Sequence, residues 1–423
     1  MGQDLPLNVL FVVPYAPTRI RTRPFHFIRT LAALGHRVTV ATLWSSDEER
    51  RALDSLQSCG VHAVVGEPLT RTRSLWNCAR ALPTADPLQA HYSWSPALSR
   101  RLAGMTDGSL FDVIHVEHLR GARYAQAAAN RAPRPGARRP PVIWDSVDCI
   151  SSLFRRASRE SPALRVRMAA RFELRRTARF EGRVAARFDR VLMSSSTDRD
   201  DLLALAPPSR RSDLDGRVEV VPNGVDLEFF CSTDEPRDPM TLVMTGKMGY
   251  HANATAAVRF VGDVMPGVWE RVPGVRLLIV GKDPPREVTR LQDSSTGRVV
   301  VTGTVDDIRP YLRTAALAVA PIRYGVGIQN KVLEALACAT PVVATPQAVS
   351  ALSVRDGVEV LIGRTSRELG TSIVTLLLNA EHRRALGHAG RAYVERAHNW
   401  RGVALRLSDV YRGAIASAIT SAV

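Results

Sequence analysis

Short runs of β-branched and other apolar residues alternate with segments of helical periodicity along most of the chain. The first run, residues 8–13 (NVLFVV), is followed by a helical segment that ends at Gly35, and residues 37–43 form the next predicted strand. Four more strands complete this series, at 111–116, 141–146, 189–194 and 217–221. Because strands separated by helices pair in parallel, the series predicts a sheet with helices on both faces.

A second series begins after the turn-rich segment 221–226 (VPNGVD), with strands predicted at 240–246, 275–281, 298–303, 316–322 and 341–345. Two such series predict an α/β protein with two doubly wound, Rossmann-like domains that face a cleft. We expect an N-terminal domain over 1–222 and a C-terminal domain over 223–402. A terminal helix at about 403–423 has one apolar face, and we expect it to pack back on the first domain.

The amino-acid composition indicates the broad class of protein. A chain of 423 residues with 45% apolar and 23% charged residues is typical of a globular protein with two domains. No apolar run reaches the roughly 18–20 residues that span a bilayer. The five cysteines lack the paired spacing of a zinc site or a disulfide framework. These features predict a protein of the reducing cytoplasm.

Basic residues are concentrated in one segment. The net charge is +16, and residues 151–190 contain twelve arginines and four acidic residues. Six arginines recur at every fourth position and form one slanted stripe on a helix: Arg167, Arg171, Arg175, Arg179, Arg183 and Arg187. Three interpretations of helix 161–188 stay open: a core-packed helix with a solvated basic face, attraction to anionic lipid at the inner face of a membrane, or nucleic-acid binding. Because no nucleic-acid motif accompanies the charge, we do not expect nucleic acid as a partner.

A glycine-rich loop, residues 324–329 (YGVGIQ), leaves the carboxyl end of a predicted strand and enters a helix near Ile328. In doubly wound sheets, ligands bind beyond the carboxyl ends of the strands. Gly325 and Gly327 allow a ligand to approach the backbone, and the first N–H groups of the helix carry partial positive charge. Lys331 adds a full cation in the first turn. This arrangement predicts a phosphate site.

Glu334 lies one turn beyond Lys331 on the same helix face, where its carboxylate can accept hydrogen bonds from the two hydroxyls of a ribose. Phosphate and ribose together indicate a nucleoside diphosphate. The alternative is an ordinary helix whose Lys331 and Glu334 face water. A dinucleotide fingerprint is excluded, because Asn330 replaces its third glycine and the loop does not follow the first strand.

Five segments in this order resemble family 4 glycosyltransferases of GT-B fold, and most closely the sugar transferases of bacterial exopolysaccharide clusters: 221–226 (VPNGVD), 245–253 (TGKMGYHAN), 275–284 (VRLLIVGKDP), 301–312 (VTGTVDDIRPYL) and 327–345 (GIQNKVLEALACATPVVAT). The resemblance implies a retaining hexosyltransferase that binds its nucleotide-sugar donor in the C-terminal domain and its acceptor in the N-terminal domain.

By this resemblance Glu334 matches the ribose-binding glutamate of the family, and Lys331 and Lys247 match cations that hold the diphosphate. The other candidate donor-binding residues are Gly325, Gly327, Gln329 and Asn330. The chain departs from the family pattern in three places. Gln329 replaces an arginine, Val326 replaces the first glutamate of a glutamate pair, and Asn253 stands near the position of a second lysine.

The first domain departs further from the family pattern. Many members have a glycine pair after the first strand, whereas this chain has residues 14–24 (PYAPTRIRTRP). We expect Arg19 and Arg21, with Arg23 beside them, to reach a phosphate or the acceptor through their guanidinium groups. The alternative is that these arginines are simply exposed to solvent.

Residues 111–122 (FDVIHVEHLRGA) match the strand and loop that carry an active-site histidine in the family. His115 lies within the strand, Glu117 occupies the place of the second histidine, and His118 follows it. We expect His118 or Glu117 to be the catalytic residue on the acceptor side. The alternative is that one of the two is only structural.

Release of a diphosphate requires either a divalent metal or fixed positive charge. The literal D-x-D matches at 198–200 and 213–215 do not follow the carboxyl end of a strand, so we interpret them as solvated or helix-capping. Asp145 and Asp148 close a strand and are weaker candidates. We predict catalysis without a metal or other cofactor, in which the helix start, Lys331 and Lys247 stabilise the leaving group.

The predicted function is therefore transfer of a sugar from a nucleotide-diphosphate sugar to a glycan or lipid-linked acceptor in bacterial surface or exopolysaccharide synthesis, in the cytoplasm and peripherally at the inner membrane face. Two other functions stay open. One is a GT-B-fold epimerase that acts on a nucleotide sugar without an acceptor. The other is a non-catalytic basic protein that binds membrane or nucleic acid.

Overall fold

The computed structural model describes residues 5–107, 111–130, 139–161 and 163–420. The chain forms two compact units. The first contains Met1–Arg155, Ala170–Pro222 and Trp400–Val423, and the second contains Arg156–Ala169 and Asn223–Asn399. The units differ from the sequence-based division at two places, because residues 156–169 belong to the second unit and residues 400–402 to the first.

The first unit is built on a sheet of seven parallel strands: β1 (Asn8–Val13), β2 (Arg37–Trp44), β3 (Ala63–Pro68), β4 (Val113–Glu117), β5 (Val142–Val147), β6 (Arg190–Met193) and β7 (Val218–Val220). Their order across the sheet is β3-β2-β1-β4-β5-β6-β7. All predicted strands of the first series are confirmed to within two residues. The edge strand β3 was not predicted, because Gly66 and Pro68 weaken its pattern.

The second unit is built on a sheet of six parallel strands: β8 (Asp238–Thr245), β9 (Arg276–Val280), β10 (Val299–Gly303), β11 (Ala315–Ala320), β12 (Val342–Ala344) and β13 (Leu361–Ile362). Their order is β10-β9-β8-β11-β12-β13. The predicted strands of the second series are also confirmed. The edge strand β13 has only two residues, too few for a periodic pattern.

Nineteen α-helices connect or flank these strands within the described residues: α1 (Thr22–Ala33), α2 (Asp47–Gln57), α3 (Arg71–Ala81), α4 (Leu88–Tyr92), α5 (Pro96–Thr106), α6 (His118–Ala129), α7 (Ile150–Glu160), α8 (Leu164–Val184), α9 (Ser196–Leu203), α10 (Pro208–Asp215), α11 (His251–Asp263), α12 (Met265–Arg271), α13 (Arg286–Ser294), α14 (Arg309–Thr314), α15 (Asn330–Ala337), α16 (Pro346–Val349), α17 (Ser366–Leu378), α18 (Ala380–Ala397) and α19 (Trp400–Thr420). None of the described helices is long and apolar enough to cross a bilayer.

The terminal helix α19 packs against the first unit, as the sequence predicted. Val403, Leu407 and Tyr411 are buried in the same core as Phe27 of α1. Trp400 contacts the Phe27 ring edge-on, with ring centroids 5.3 Å apart. The helix begins three residues earlier than predicted, and residues 421–423 lie outside the described part of the chain.

The basic segment forms α8, which packs one face and exposes the other. Phe180 and Val184 are buried, whereas Phe172 is half exposed. The arginines of the predicted stripe lie on the solvent side: Arg167 is partly exposed, and Arg171, Arg175, Arg179, Arg183 and Arg187 are exposed.

Candidate functional site

In the second unit, the glycine-rich loop follows β11, and α15 begins at Asn330, two residues later than predicted. Gly327 has a φ of 66°, a conformation that glycine adopts at least cost. The carbonyl of Gly325 accepts hydrogen bonds from Gln347 and Arg156, which hold the loop in place. The side chain of Gln329 does not cap the helix, and the first N–H groups of a helix have no intrahelical acceptor. The start of α15 can therefore receive an anion.

Lys331 is held by a chain of hydrogen bonds to the loop that follows β8. Its Nζ donates to Oδ1 of Asn253 at 2.6 Å, and Nδ2 of Asn253 donates to the carbonyl of Lys247 at 2.9 Å. A Cβ on Gly246 would stand 3.0 Å from Nδ2 of Asn253 and 3.5 Å from Cε of Lys331, so glycine allows this close approach. Asn253 thus positions Lys331.

The pKa values of Lys331 and Glu334 are both shifted toward neutral pH. Both side chains are half-buried. Desolvation lowers the pKa of Lys331 to about 8, although the Glu334 carboxylate opposes the shift. Desolvation also raises the pKa of Glu334 to about 7, against the attraction of Lys331. An incoming diphosphate would favour the charged form of Lys331 and repay its desolvation.

Lysine is rare in this chain, and its distribution is informative. Of the 57 basic residues only three are lysines: Lys247, Lys282 and Lys331. Lys247 follows β8, Lys282 follows β9, and Lys331 opens α15 after β11, all at the carboxyl edge of the second sheet. The carbonyl of Lys282 accepts hydrogen bonds from the N–H groups of Met248 and Gly249, which joins two of these loops. The motifs did not indicate Lys282, whereas the rarity of lysine in the sequence does.

Two other predicted donor residues make contacts within the second unit. Oδ1 of Asn330 accepts a hydrogen bond from Nδ2 of Asn223 at 3.2 Å. Nε2 of Gln329 donates to the carbonyl of Val326 at 3.3 Å. Both side chains therefore stabilise the loop, and a direct contact with a donor stays a prediction.

A cavity of about 340 Å³ lies beside this loop in the second unit. Arg159, Arg259 and Arg323 line it together with Glu160 and Tyr324, and three small side chains of α11 complete the wall. Tyr324 directly precedes Gly325, and its hydroxyl lies 2.8 Å from Nδ1 of His251. With three arginines and one glutamate, the cavity is suited to an anionic group.

In the first unit, a polar network is buried at the strands β4 and β5. Arg23 forms a two-point ion pair with Asp145, at 2.8 and 3.0 Å, and donates to the carbonyl of Val221. Nε2 of His115 lies 3.5 Å from Asp145, and its Nδ1 is 2.8 Å from the Tyr411 hydroxyl. Burial opposes ionisation of Asp145, but Arg23 and His115 lower its pKa below the usual value. The expectation that Arg23 reaches an external anion is therefore wrong, because its guanidinium is fully engaged inside the protein.

Arg19 and Arg21 remain at the surface of the first unit. Arg21 is partly exposed, pairs with Glu49 at 3.0 Å and donates to the carbonyl of Ala16. Its guanidinium also stacks on Tyr15. Arg19 is exposed. Arg21 thus has an internal counter-ion that a bound anion would have to displace, and a phosphate role for either residue stays a prediction.

Glu117 and His118 stand at the junction of β4 and α6, with different surroundings. Glu117 is 2% exposed, and its Oε1 accepts a hydrogen bond from the Tyr15 hydroxyl at 3.0 Å. Its Oε2 has no hydrogen-bond partner. Burial, with repulsion from Asp145, raises the pKa of Glu117 well above its usual range, which favours its protonated form. Glu117 is thus a buried acid behind the surface.

His118 is half-buried and has a φ of 64°, a strained conformation for a residue with a Cβ. Its carbonyl accepts a hydrogen bond from Nε1 of Trp144 at 3.2 Å. Burial, with repulsion from Arg120, lowers the pKa of His118 to about 3, so its imidazole is neutral. Of the two predicted candidates, His118 is the more accessible.

The aspartates of the D-x-D matches have structural partners. Ser195 caps α9 by accepting a hydrogen bond from the N–H of Asp198. The Asp198 carboxylate accepts hydrogen bonds from the Ser195 hydroxyl and from the N–H of Cys149. Asp213 pairs with Arg217, and Asp215 pairs with Arg199. Asp148 accepts a hydrogen bond from the Ser194 hydroxyl at 2.9 Å, and burial, with repulsion from Asp198, raises its pKa to about 7.

Two Rossmann-like units of parallel strands and helices define the GT-B fold. Among solved structures, Anabaena HepE in complex with UDP and glucose matches with a TM-score of 0.66 at 13% identity, over 96% of this chain and 100% of HepE. WaaG, a glycosyltransferase involved in lipopolysaccharide biosynthesis, matches with a TM-score of 0.60 at 15% identity, also over 96% and 100%. At these identities the matches concern the fold alone.

Two family models match the chain in sequence. The model "Glycosyltransferase Family 4" matches residues 22–229, and the model "Glycosyl transferases group 1" matches residues 239–379. The chain belongs to glycosyltransferase family 4.

Curated relatives match part of the chain. A phosphatidyl-myo-inositol mannosyltransferase of Mycobacterium leprae is 28% identical over 199 residues, which is 45% of this chain and 52% of the relative. A D-inositol 3-phosphate glycosyltransferase of Mycobacteroides abscessus is 31% identical over 255 residues, 54% of this chain and 52% of the relative. The chain thus spans about half the length of the curated relatives it matches.

Proposed function

We propose that this protein is a retaining, metal-independent glycosyltransferase that transfers a sugar from a nucleoside diphosphate sugar to a lipid-linked or glycan acceptor in the synthesis of bacterial surface glycans. One observation carries the proposal. At the start of α15, Lys331 is held at 2.6 Å by Asn253, and Glu334 lies one turn further along the helix. Membership in glycosyltransferase family 4 supports the same conclusion.

In this proposal the pyrophosphate of the donor binds at the start of α15. Nζ of Lys331 exchanges Oδ1 of Asn253 for a phosphate oxygen, and Lys247 adds a second cation from the loop after β8. The Glu334 carboxylate accepts hydrogen bonds from the ribose hydroxyls. Gly325 and Gly327 leave room for the phosphates beside the backbone.

The transfer step follows from these charges. The bond between the anomeric carbon and the phosphate oxygen breaks, and the diphosphate leaves with its electron pair, stabilised by Lys331, Lys247 and the helix start. An acceptor hydroxyl attacks from the same face as the leaving group, and its proton passes to a phosphate oxygen. The anomeric configuration is thereby retained. His118, a neutral imidazole, lines the acceptor side in this proposal, and Glu117 is the buried acid behind it.

The acceptor that we propose carries an anionic group. The two relatives are named for transfer to phosphatidyl-myo-inositol and to D-inositol 3-phosphate, which both contain phosphate. The net charge of +16 and the cavity lined by Arg159, Arg259 and Arg323 are compatible with such an acceptor. An acceptor of exopolysaccharide synthesis, which the sequence resemblance favoured, is the second possibility.

Calorimetric titration with UDP, GDP, ADP and their sugar conjugates, in EDTA, tests the donor site. We expect one nucleotide to bind without a metal. Lys331→Ala should weaken its binding about 10- to 100-fold through loss of a charged hydrogen bond, and Glu334→Gln should weaken it by a smaller factor. Arg290→Ala, a surface substitution on α13, is the matched control and should bind like the wild type. Unchanged affinity in Lys331→Ala, or binding only with added Mg²⁺, would contradict the proposal.

A further inference from the structure

The first unit exposes four large apolar side chains on two of its helices. On α3 and at its end, Leu75, Trp76 and Leu82 are 67%, 57% and 54% exposed, and on α8 Phe172 is 51% exposed. Leu75 and Leu82 are seven residues apart and lie on one line of the helix surface. Exposed apolar side chains of this size, grouped together, mark interaction surfaces.

The two helices form one continuous surface, and Arg176 of α8 connects them. Its guanidinium donates to the carbonyls of Ala81 and Leu82 at 2.9 Å each, and also to the carbonyl of Thr84. The same guanidinium stacks on the Phe172 ring, 4.8 Å from its centroid. Arg176 therefore links the end of α3 at Leu82 to the Phe172 ring on α8. We call Leu75, Trp76, Leu82 and Phe172, with Arg171, Arg175 and Arg179, the α3–α8 surface.

The charge of the α3–α8 surface has one sign. α3 contains three arginines and no acidic residue. On α8, Arg171, Arg175 and Arg179 are exposed. The two acidic residues of α8 face inward instead: Glu173 accepts a hydrogen bond from the N–H of Leu88, and Glu181 accepts from the N–H groups at the start of α7. Both acidic side chains of α8 are thus buried, and the exposed charged side chains of the two helices are all arginines.

We propose that the α3–α8 surface docks on an anionic lipid bilayer. Exposed tryptophan, leucine and phenylalanine bury their side chains at the boundary of headgroups and acyl chains, and the surrounding arginines pair with lipid phosphates. A solvated basic face, the first interpretation of the stripe, does not account for the apolar side chains on it. Nucleic acid accounts for the arginines but gives Leu75 and Leu82 nothing to contact. The docking does not depend on the proposed transferase activity.

Sedimentation of the full chain with lipid vesicles tests the charge part of the proposal. We expect binding to phosphatidylcholine vesicles that contain about one third phosphatidylglycerol, and little binding to phosphatidylcholine alone. The triple variant Arg171→Gln/Arg175→Gln/Arg179→Gln should bind the anionic vesicles on the order of 100-fold more weakly, about fivefold per arginine.

The control for charge is Arg210→Gln/Arg401→Gln/Arg406→Gln, which removes the same net charge from exposed arginines on α10 and α19. It should retain most of the binding. All six arginines are exposed, so both triple variants should fold, and unchanged thermal unfolding checks this. Equal losses in the two triple variants, or equal binding to both kinds of vesicle, would overturn the proposal.

A second set of variants tests the contribution of the exposed apolar side chains to lipid docking. Leu75→Ser/Trp76→Ser should abolish the binding that remains at high salt, whereas Leu405→Ser, an exposed leucine on α19, should not. Quenching of Trp76 fluorescence by brominated lipid should disappear in Trp76→Phe while vesicle binding persists. If Leu75→Ser/Trp76→Ser binds anionic vesicles like the wild type, the surface is not a lipid-docking site. The same conclusion follows if duplex DNA displaces the vesicles and binds Leu75→Ser/Trp76→Ser as tightly as it binds the wild type.

Discussion

At the scale of single residues, the proposed donor site depends on two side chains that are only partly solvated. Lys331 and Glu334 lie one turn apart on α15, and both are closer to neutrality than free lysine and glutamate are. Neither has an ion-pair partner at contact distance among the described residues. The bond from Lys331 to the neutral Asn253 orients the ammonium without neutralising it. An oriented ammonium without a contacting counter-ion is suited to bind a doubly charged anion.

These two residues should define the pH dependence of donor use. Lys331, with a pKa of about 8, loses its charge as the pH rises through about 8, and Glu334, with a pKa of about 7, loses its charge as the pH falls through about 7. We therefore expect kcat/KM to pass through a maximum between about pH 7 and 8. Lys331→Arg should move the alkaline limb upward by more than one pH unit, because arginine stays charged. Initial rates from pH 5.5 to about 10 measure this, and a flat wild-type profile would contradict the assignment.

The sequence predicted the identity of these side chains but not their environment. The spacing of Lys331 and Glu334 follows from the helical period and is visible in the sequence. The bond to Asn253 joins residues 78 positions apart in the chain, and no local pattern predicts it. Arg23 shows the opposite case. Its position beside Arg19 and Arg21 indicated exposure, whereas a contact with Asp145, 122 positions away, buries it.

At the scale of secondary-structure elements, the junction between β4 and α6 is the strained point of the first unit. His118 has a φ of 64° at the first position of α6, and Val147 has a φ of 68° at the end of the adjacent β5. Such conformations cost about 1–3 kcal/mol each and persist where the surrounding structure determines them. Strain at two adjacent strand ends supports a functional role for this edge of the sheet.

Two substitutions separate the strain at His118 from its side-chain function. His118→Gly and His118→Ala both remove the imidazole, and only glycine adopts the left-handed conformation without cost. We expect His118→Gly to be more stable than His118→Ala by about 1 kcal/mol in the free energy of unfolding. Both variants should lose sugar transfer to a similar extent, by about tenfold or more. Denaturant unfolding and initial rates measure the two effects.

Equal stability of the two variants would show that the fold does not impose the positive φ of His118. Retained sugar transfer in both variants would exclude the His118 imidazole from the acceptor side and leave Glu117 as the candidate there. Either result leaves the proposed donor site at α15 unaffected, because that site lies in the other unit.

Among the secondary-structure elements, the strands inside the two sheets were the most predictable from the sequence. β1 and β11 are almost continuous apolar runs, since both faces of an interior parallel strand are covered. Of the four edge strands, β7 and β10 were predicted. β3 was missed because it contains Gly66 and Pro68, and β13 was missed because it has only two residues. The start of α15 was misplaced by two residues, because the preceding loop has apolar residues that continue the helical period.

At the scale of the whole molecule, the second unit has one apolar core cluster and the first has two, and the two units differ in their basic residues. The second unit contains all three lysines at one edge of its sheet, whereas the first unit has none and carries the arginine-rich α3–α8 surface. Alternation of strands and helices predicted both sheets. The placement of residues 156–169 in the second unit was not predictable, because it depends on tertiary contacts rather than on the period of the sequence.

The rarity of lysine allows one experiment to test the central claim, that a nucleoside diphosphate binds at Lys331 without a metal. Reductive methylation of the full chain in EDTA at about pH 8, followed by mass spectrometry, reports the reactivity of Lys247, Lys282 and Lys331 separately. The matching nucleoside diphosphate should slow methylation of Lys331 about tenfold or more, and the nucleoside without phosphates should not. Methylation of Lys331 at the same rate with and without saturating nucleotide would contradict the account.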